Sequence, residues 1–293
     1  MNKLKVGILG CGKMGRVYTH WFSNNPFCEM KAFYNRTTGK AAELSAAHPG
    51  SMVYESWREL LQEKDLDVVG ICTPSSERFE QYKFAIQAKK HVLCEKPGAS
   101  DVNECREMAV ISRNAGTISA VQCQVKYHPV VLKINELINS IGRVFHIDLI
   151  YSMYRTEITW KHKLNAGGGV LRELSSHLID LALIWLGDVR CVTGHNKIIR
   201  AGREVEDFST NIIEFTSGAS VCLSSNYYER KSRAYRGTIF GTQGQIDFQF
   251  SPYDPVDSKL MLLNDEGKTE FQIEYPEVID PVYPGQMDSF KKQ

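Results

Sequence analysis

The stretch GGGVLRELSSHLID, residues 167–180, places Glu173, His177 and Asp180 at helical spacing behind three consecutive glycines. At about 100° per residue the three side chains fall within an arc of roughly 60°, so two carboxylates and an imidazole face one place. An imidazole with an unperturbed pKa of about 6.5 exchanges protons readily near neutrality. Leu171, Leu174, Leu178, Leu181 and Ile184 or Trp185 cover the remaining faces and can bury the helix. Gly167, Gly168 and Gly169 let backbone pass close to a ligand without side-chain clash. A second candidate is Lys96, which follows the apolar run HVLC and Glu95 and is fixed by Pro97. A lysine so placed can hydrogen-bond an oxygen on a reacting carbon. Taken alone, each feature has an ordinary reading: an i, i+4 Glu–His pair on a solvated face, and a surface turn. Their weight depends on what positions them.

The N-terminal segment KLKVGIL, residues 3–9, reads as a buried strand, and GCGKMG follows it directly before an amphipathic stretch at 14–24. Gly10, Gly12 and Gly15, with Lys13 and Met14 between them, form G-x-G-x-x-G in the strand–turn–helix context of a dinucleotide site. The first glycine permits the tight turn, the second admits a pyrophosphate, and the third lets helix pack on strand, with the helix N-terminus favouring the anion. An acid about 20 positions further on would bind a ribose 2′-hydroxyl, whereas arginine suits a 2′-phosphate. Here the second strand ends in Asn35, Arg36 and Thr37. The expectation is therefore NADP in preference to NAD. A plainer alternative makes Arg36 a solvated turn residue and Thr37 or Thr38 a helix cap.

Strands at 3–9, 29–34, 52–54, 67–72, 91–94 and 117–124 alternate with helices at 14–24, 39–47, 56–63, 76–89 and 101–115. Near-continuous apolar strands in such alternation predict a doubly wound parallel sheet, the Rossmann arrangement. Its ligands lie beyond the carboxyl ends of the strands, where Thr73-Pro74 and Glu95-Lys96-Pro97 stand. Past residue 124 the texture changes. A helix at 129–139 and the helix at 170–186 accompany strands near 143–153, 190–198, 209–216, 219–227, 234–241, 244–250 and 258–264. Close spacing with short turns at Ser217-Gly218, Gly244 and Gly267 predicts antiparallel pairing. The domains expected are 1–122, binding NAD(P), and 123–293, binding substrate and mediating self-association.

Bulk properties narrow the function. The chain has 293 residues, 43% hydrophobic and 24% charged, with a formal charge of +1, enough for two cores. Its basic residues are scattered, which argues against nucleic acid or an anionic membrane and for a small-molecule ligand. Cys11, Cys28, Cys72, Cys94, Cys105, Cys123, Cys191 and Cys222 contain no C-x-x-C pair and read as reduced core residues of a cytoplasmic protein, with no metal site. The apolar run in MNKLKVGILGC is too short for a signal-peptide core, and no segment approaches the ~18 apolar residues of a membrane span. His91 and His146, inside apolar strands, read as satisfied core histidines.

Three segments together carry a resemblance: GILGCGKMG, DVVGICTPSSERFEQYKFAIQAKKHVLCEKP, and GGGVLRELSSHLIDLALIWLG. They resemble the oxidoreductases named after glucose–fructose oxidoreductase, inositol dehydrogenase and the rhizopine-catabolism protein MocA, over nearly the whole chain. The resemblance implies an α/β fold: an N-terminal Rossmann domain, then a C-terminal α/β domain with an open, largely antiparallel sheet. It implies NAD(P)-dependent oxidation or reduction of a sugar, cyclitol or related compound. By matching position, His177 takes the acid–base role and Lys96 the lysine role, acting together beside the nicotinamide. Glu173 stands where the family usually has aspartate, one methylene shorter, and is expected to orient the pair. Asp180 is expected to bind a further hydroxyl or fix the helix. The cofactor-binding set is completed by Thr73, Pro74 and Glu95. Lys126, His128 and Trp160 are expected towards the substrate from their places in the chain, with a structural role as the equal alternative for each. Arg78 replaces a histidine common in the family. A broad C-terminal sheet face, with Tyr227 and Tyr228 among its aromatics, is expected to form a homo-oligomer. Two rival readings are a non-catalytic nucleotide-binding sensor and a cofactor-retaining glycosidase. The chain ends in DSFKKQ, where the resemblance implies a further helix.

Overall fold

The computed structural model describes residues 2–230, 233–251 and 257–275; the terminal DSFKKQ lies outside them. The chain divides into two compact units, Met1–Gln122 and Cys123–Gln293.

In the first unit six strands form one parallel sheet: β1 (Leu4–Leu9), β2 (Cys28–Tyr34), β3 (Met52–Tyr54), β4 (Val68–Ile71), β5 (His91–Glu95) and β6 (Ser119–Gln122). The order across the sheet is β3-β2-β1-β4-β5-β6. Five helices complete the crossovers: α1 (Lys13–Asn24), α2 (Thr38–Ala46), α3 (Trp57–Gln62), α4 (Ser75–Gln87) and α5 (Val102–Asn114). Leu9, Val69, Ile71, Val92 and Cys94 are buried with Leu60, Leu61, Tyr82 and Ala85 from the helices, which is why the central strands carry apolar runs without alternation. The connections run outward from β1 to β3 and return to β4 on its other side. The strand order thus reverses between β1 and β4, where open α/β sheets bind ligands.

Among its described residues the second unit holds α6 (Pro129–Leu137) and α7 (Ser176–Leu186) with eight strands: β7 (Val144–Tyr151), β8 (Val189–Lys197), β9 (Phe208–Phe215), β10 (Ser220–Asn226), β11 (Tyr235–Gly241), β12 (Gly244–Phe250), β13 (Lys259–Asn264) and β14 (Gly267–Glu270). Their order is β14-β13-β12-β11-β7-β10-β9-β8. Neighbours pair antiparallel except β7 and β10, which are parallel. One core joins Val130, Val131 and Ile134 of α6 and Leu178 and Leu181 of α7 to Ile147, Leu149, Val221, Leu223, Ile239 and Ile246 of the sheet. β14 escapes sequence reading because GKTE is exposed throughout and has no apolar alternation.

Three local expectations need correction. The stretch 170–186 is not one continuous α-helix, because Leu171–Ser175 form a wide π-helical turn before α7 begins at Ser176. Tyr227 does not lie on an exposed face: it is 0% exposed, flanked by the guanidinium groups of Arg155 and Arg203. The Tyr228 hydroxyl is taken up by Asp207. The cysteines are all free, but Cys105 and Cys191 are exposed rather than in a core.

Candidate functional site

In the first unit the three glycines differ in what surrounds them. Gly10 has φ +90°, and a Cβ there would lie 2.8–2.9 Å from the Cys72 and Thr73 backbone. A Cβ on Gly15 would overlap the Gly10 carbonyl. Both are required by the protein's own packing. Gly12 differs: a Cβ there meets nothing within 4 Å, and it is the N-cap of α1 with no side-chain cap. Gly12, the position expected to admit a pyrophosphate, opens on space, and a helix end such as the one behind it can offer amides to an anion. These residues fit a dinucleotide. Lys13 and Met14 begin α1.

Asn35 is committed to holding this loop. Its Oδ1 accepts from the Cys11 amide at 3.0 Å, and its Nδ2 donates to the Thr37 carbonyl at 2.9 Å. Arg36 projects outward with its side chain 86% exposed, 3.9 Å from Glu77. Thr37 precedes α2 but makes no side-chain cap, and the first turn of α2 contains no acid. The part of the plainer alternative that made Thr37 a side-chain cap is therefore not met.

The ends of β4 and β5 are joined by a residue to which sequence reading assigned no role. Arg78, only 2% exposed, donates Nε to the Thr73 carbonyl at 2.7 Å and Nη1 to the Glu95 carbonyl at 2.8 Å. Nη1 also reaches the Pro97 carbonyl. Lys96, 9% exposed, thus sits between two clamped neighbours, and the Lys96–Pro97 peptide is cis. Thr73 donates its hydroxyl to Gln81 at 2.6 Å, and Pro74 leads into α4. Glu95 turns its carboxylate to the Tyr18 hydroxyl at 3.2 Å. Burial, with Glu95 adding, pushes the Tyr18 phenol far above its ordinary range. Burial also pushes the Cys11 and Cys94 thiols up to about 12, so neither is a thiolate nucleophile near neutrality.

In the second unit the polar residues around α7 acquire specific partners. Glu173, in the wide turn, forms an ion pair with Lys161. Asp180, one turn into α7, stands 3.7 Å from Lys126. Burial raises the Asp180 carboxyl above its usual range while Lys126 opposes the shift. His177 lies between them in sequence, 5% exposed, with its ring edge-on to Tyr235 at 6.1 Å. Trp160 is 38% exposed, and the Lys161 ammonium lies 5.4 Å from its ring centre. Lys161 has no local sequence signal; only the chain's return from 161 to 173 reveals it.

The glycine run explains that return. Gly167 has φ +73° and Gly169 φ +120°. The Gly168 and Gly169 amides donate to the Lys163 and Lys161 carbonyls at 3.0 Å each. A Cβ on Gly168 would overlap Lys161 backbone, and one on Gly169 would overlap the Glu206 carboxylate. Within the second unit, then, Gly168 and Gly169 face their own chain closely, and the loop they close carries Lys161.

His128 was expected near the substrate, but it is 0% exposed. It caps α6 by accepting from the Val130 amide at 3.2 Å and stacks on Phe250 at 4.2 Å. His91 accepts from the Ile118 amide at 2.9 Å; His146 is held by Ser220 and Asp148 on a half-buried strand. Among the described residues no helix is long and apolar enough to cross a membrane, and no group of three or more His, Cys, Asp or Glu side chains could hold a metal ion.

Comparison with known proteins places this geometry. The scyllo-inositol 2-dehydrogenase (NADP(+)) IolW of Bacillus subtilis is 27% identical over 261 residues, covering 84% of this chain and 72% of IolW. Levoglucosan dehydrogenase of Pseudarthrobacter phenanthrenivorans is 26% identical over 297 residues, covering 87% and 76%. A solved levoglucosan dehydrogenase complex with NADH and L-sorbose shares the fold at a TM-score of 0.85, with 22% identity and coverage of 94% and 81%. Residues 4–123 match the oxidoreductase family with an NAD-binding Rossmann fold, and residues 131–247 match the GFO/IDH/MocA C-terminal domain. With a glycine loop open only at Gly12 and both of its parts matched, this chain belongs to the GFO/IDH/MocA oxidoreductase family.

Proposed function

We propose that the protein transfers a hydride between a nicotinamide cofactor and a hydroxyl- or carbonyl-bearing carbon of a sugar, cyclitol or sugar derivative. The observation that carries this reading is the buried Lys96 at the carboxyl end of β5, two strands from the glycine loop and held between clamped carbonyls. The names of IolW and levoglucosan dehydrogenase support the substrate class.

The cofactor supplies the hydride acceptor or donor. Gly10, Gly12, Lys13, Met14 and Gly15 bind its pyrophosphate; Asn35, Arg36 and Thr37 address its adenosine ribose; Thr73, Pro74 and Glu95 line its nicotinamide end. Lys96 stabilises negative charge developing on the substrate oxygen, and His177 takes or returns that oxygen's proton. Glu173, held by Lys161, orients this pair, and Lys126, Trp160 and Asp180 contact the remaining hydroxyls. NADP is preferred. The exposed Arg36, the absence of an acid in the first turn of α2 and the uncommitted cap at Thr37 support this choice. The protein works in the cytoplasm as a homo-oligomer associating through the second unit's sheet.

The test is a panel of sugars and cyclitols with NADP and NAD, reading reduced-nicotinamide absorbance. Net absorbance change should accompany turnover. Product without such change would mean a cofactor-retaining glycosidase, and cofactor binding without product a sensor. His177→Ala and Lys96→Ala should each cut turnover by roughly 100-fold or more while cofactor affinity holds. Near-normal turnover in either variant would remove its assigned role.

A further inference from the structure

We propose that Glu77 is a cofactor-specificity residue, holding Arg36 back from a nucleotide 2′-phosphate and offering its own carboxylate to a 2′-hydroxyl. This rests on the reading of Arg36 as the residue that meets the adenosine ribose. Arg36 leaves the carboxyl end of β2, while Glu77 comes from the first turn of α4, two strands away across the sheet. Their side chains are 86% and 40% exposed, and Arg36 Nη1 lies 3.9 Å from Glu77 Oε1. So exposed a pair does little for folding. Its effect falls on a third charge.

A 2′-phosphate carries close to two negative charges at neutral pH. Bound by Arg36, it comes within a few ångströms of the Glu77 carboxylate and must share the guanidinium with it. Even with water-like screening, that repulsion weakens binding by roughly fivefold. A ribose 2′-hydroxyl meets no such penalty and can donate to a carboxylate. The acid missing from the turn after β2 therefore stands beside that turn, supplied by another crossover. One arginine and one carboxylate at the same place let the site take either nucleotide, with Glu77 limiting the preference for NADP.

Fluorescence titration of NADPH and NADH against the full-length wild-type chain, Glu77→Gln and Arg36→Ala tests this without a substrate. Glu77→Gln should tighten NADPH about fivefold, a gain lost in high salt, and weaken NADH about threefold as the charged acceptor for its 2′-hydroxyl is lost. Arg36→Ala should weaken NADPH alone. If Arg36→Ala weakens NADPH but Glu77→Gln leaves the NADPH to NADH ratio unchanged, the role of Glu77 is overturned. If Arg36→Ala leaves NADPH untouched, the NADP reading fails and takes this inference with it. Failure of wild type to bind either nucleotide would remove the nicotinamide reading itself.

Discussion

Arg78 donates through Nη1 to the main-chain carbonyl of Glu95 at 2.8 Å, across 17 residues of sequence. With its bonds to Thr73 and Pro97, one buried guanidinium ties the end of β4 to both neighbours of Lys96. Removing it leaves three carbonyls in need of a donor. Arg78→Gln should lower stability by about 3 kcal/mol, and Arg78→Lys by less, since one ammonium can serve part of the set. Urea unfolding midpoints at unchanged slope would check both values. Arg78→Lys should lose more in turnover than its stability implies, because Lys96 no longer has both flanking carbonyls fixed.

Gly12 and Gly15 should separate binding from folding. Gly12→Ala places its methyl where nothing lies within 4 Å, on an ordinary negative φ of −77°. Thermal stability should hold while cofactor affinity falls by roughly tenfold or more. Gly15→Ala drives a methyl into the Gly10 carbonyl and should cost about 1–3 kcal/mol of stability as well. Parallel melting curves and nucleotide titrations distinguish the two.

The Lys161–Glu173 pair should show coupling. Both side chains are partly buried, at 25% and 15% exposure, so screening is reduced. A double-mutant cycle of Lys161→Met and Glu173→Gln should return an interaction of about 1–2 kcal/mol in unfolding free energy. Glu173→Asp, one methylene shorter, should lose much of it. An additive cycle would mean that Lys161 does not hold Glu173.

Acid should destabilise the second unit through His128. Burial depresses its imidazole pKa to about 3, against about 6.5 in an unfolded chain. Between these values the unfolded state binds a proton that the folded state refuses. Stability from this group is therefore complete above about pH 6.5 and falls by up to about 1.4 kcal/mol per unit as pH drops towards 3. His162, held down to about 4 by burial, with Arg203 and Arg155 adding, acts in the same direction. His128→Asn, which keeps an acceptor for the Val130 amide, should flatten the curve by one proton's slope. Unfolding at several pH values between about 4.5 and 7 would measure it.

The sequence by itself determined the local units: a strand, a glycine turn and a helix N-terminus within residues 4–24, and strand ends at Thr73 and Lys96. Those features depend on neighbours a few positions apart, where periodicity and glycine stereochemistry suffice. It also placed Glu173, His177 and Asp180 on one stretch and singled out Arg36. Tertiary structure alone decided their partners. Lys161 reaches Glu173, Lys126 reaches Asp180, Glu77 meets Arg36, and Arg78 spans two strand ends. Helical periodicity could not foresee the π-turn that carries Glu173, nor that His128 and Tyr227 would be buried. The reason is that ion pairs and buried hydrogen bonds join residues by where the folded chain returns, and that path is set by packing of whole elements rather than by any local repeat.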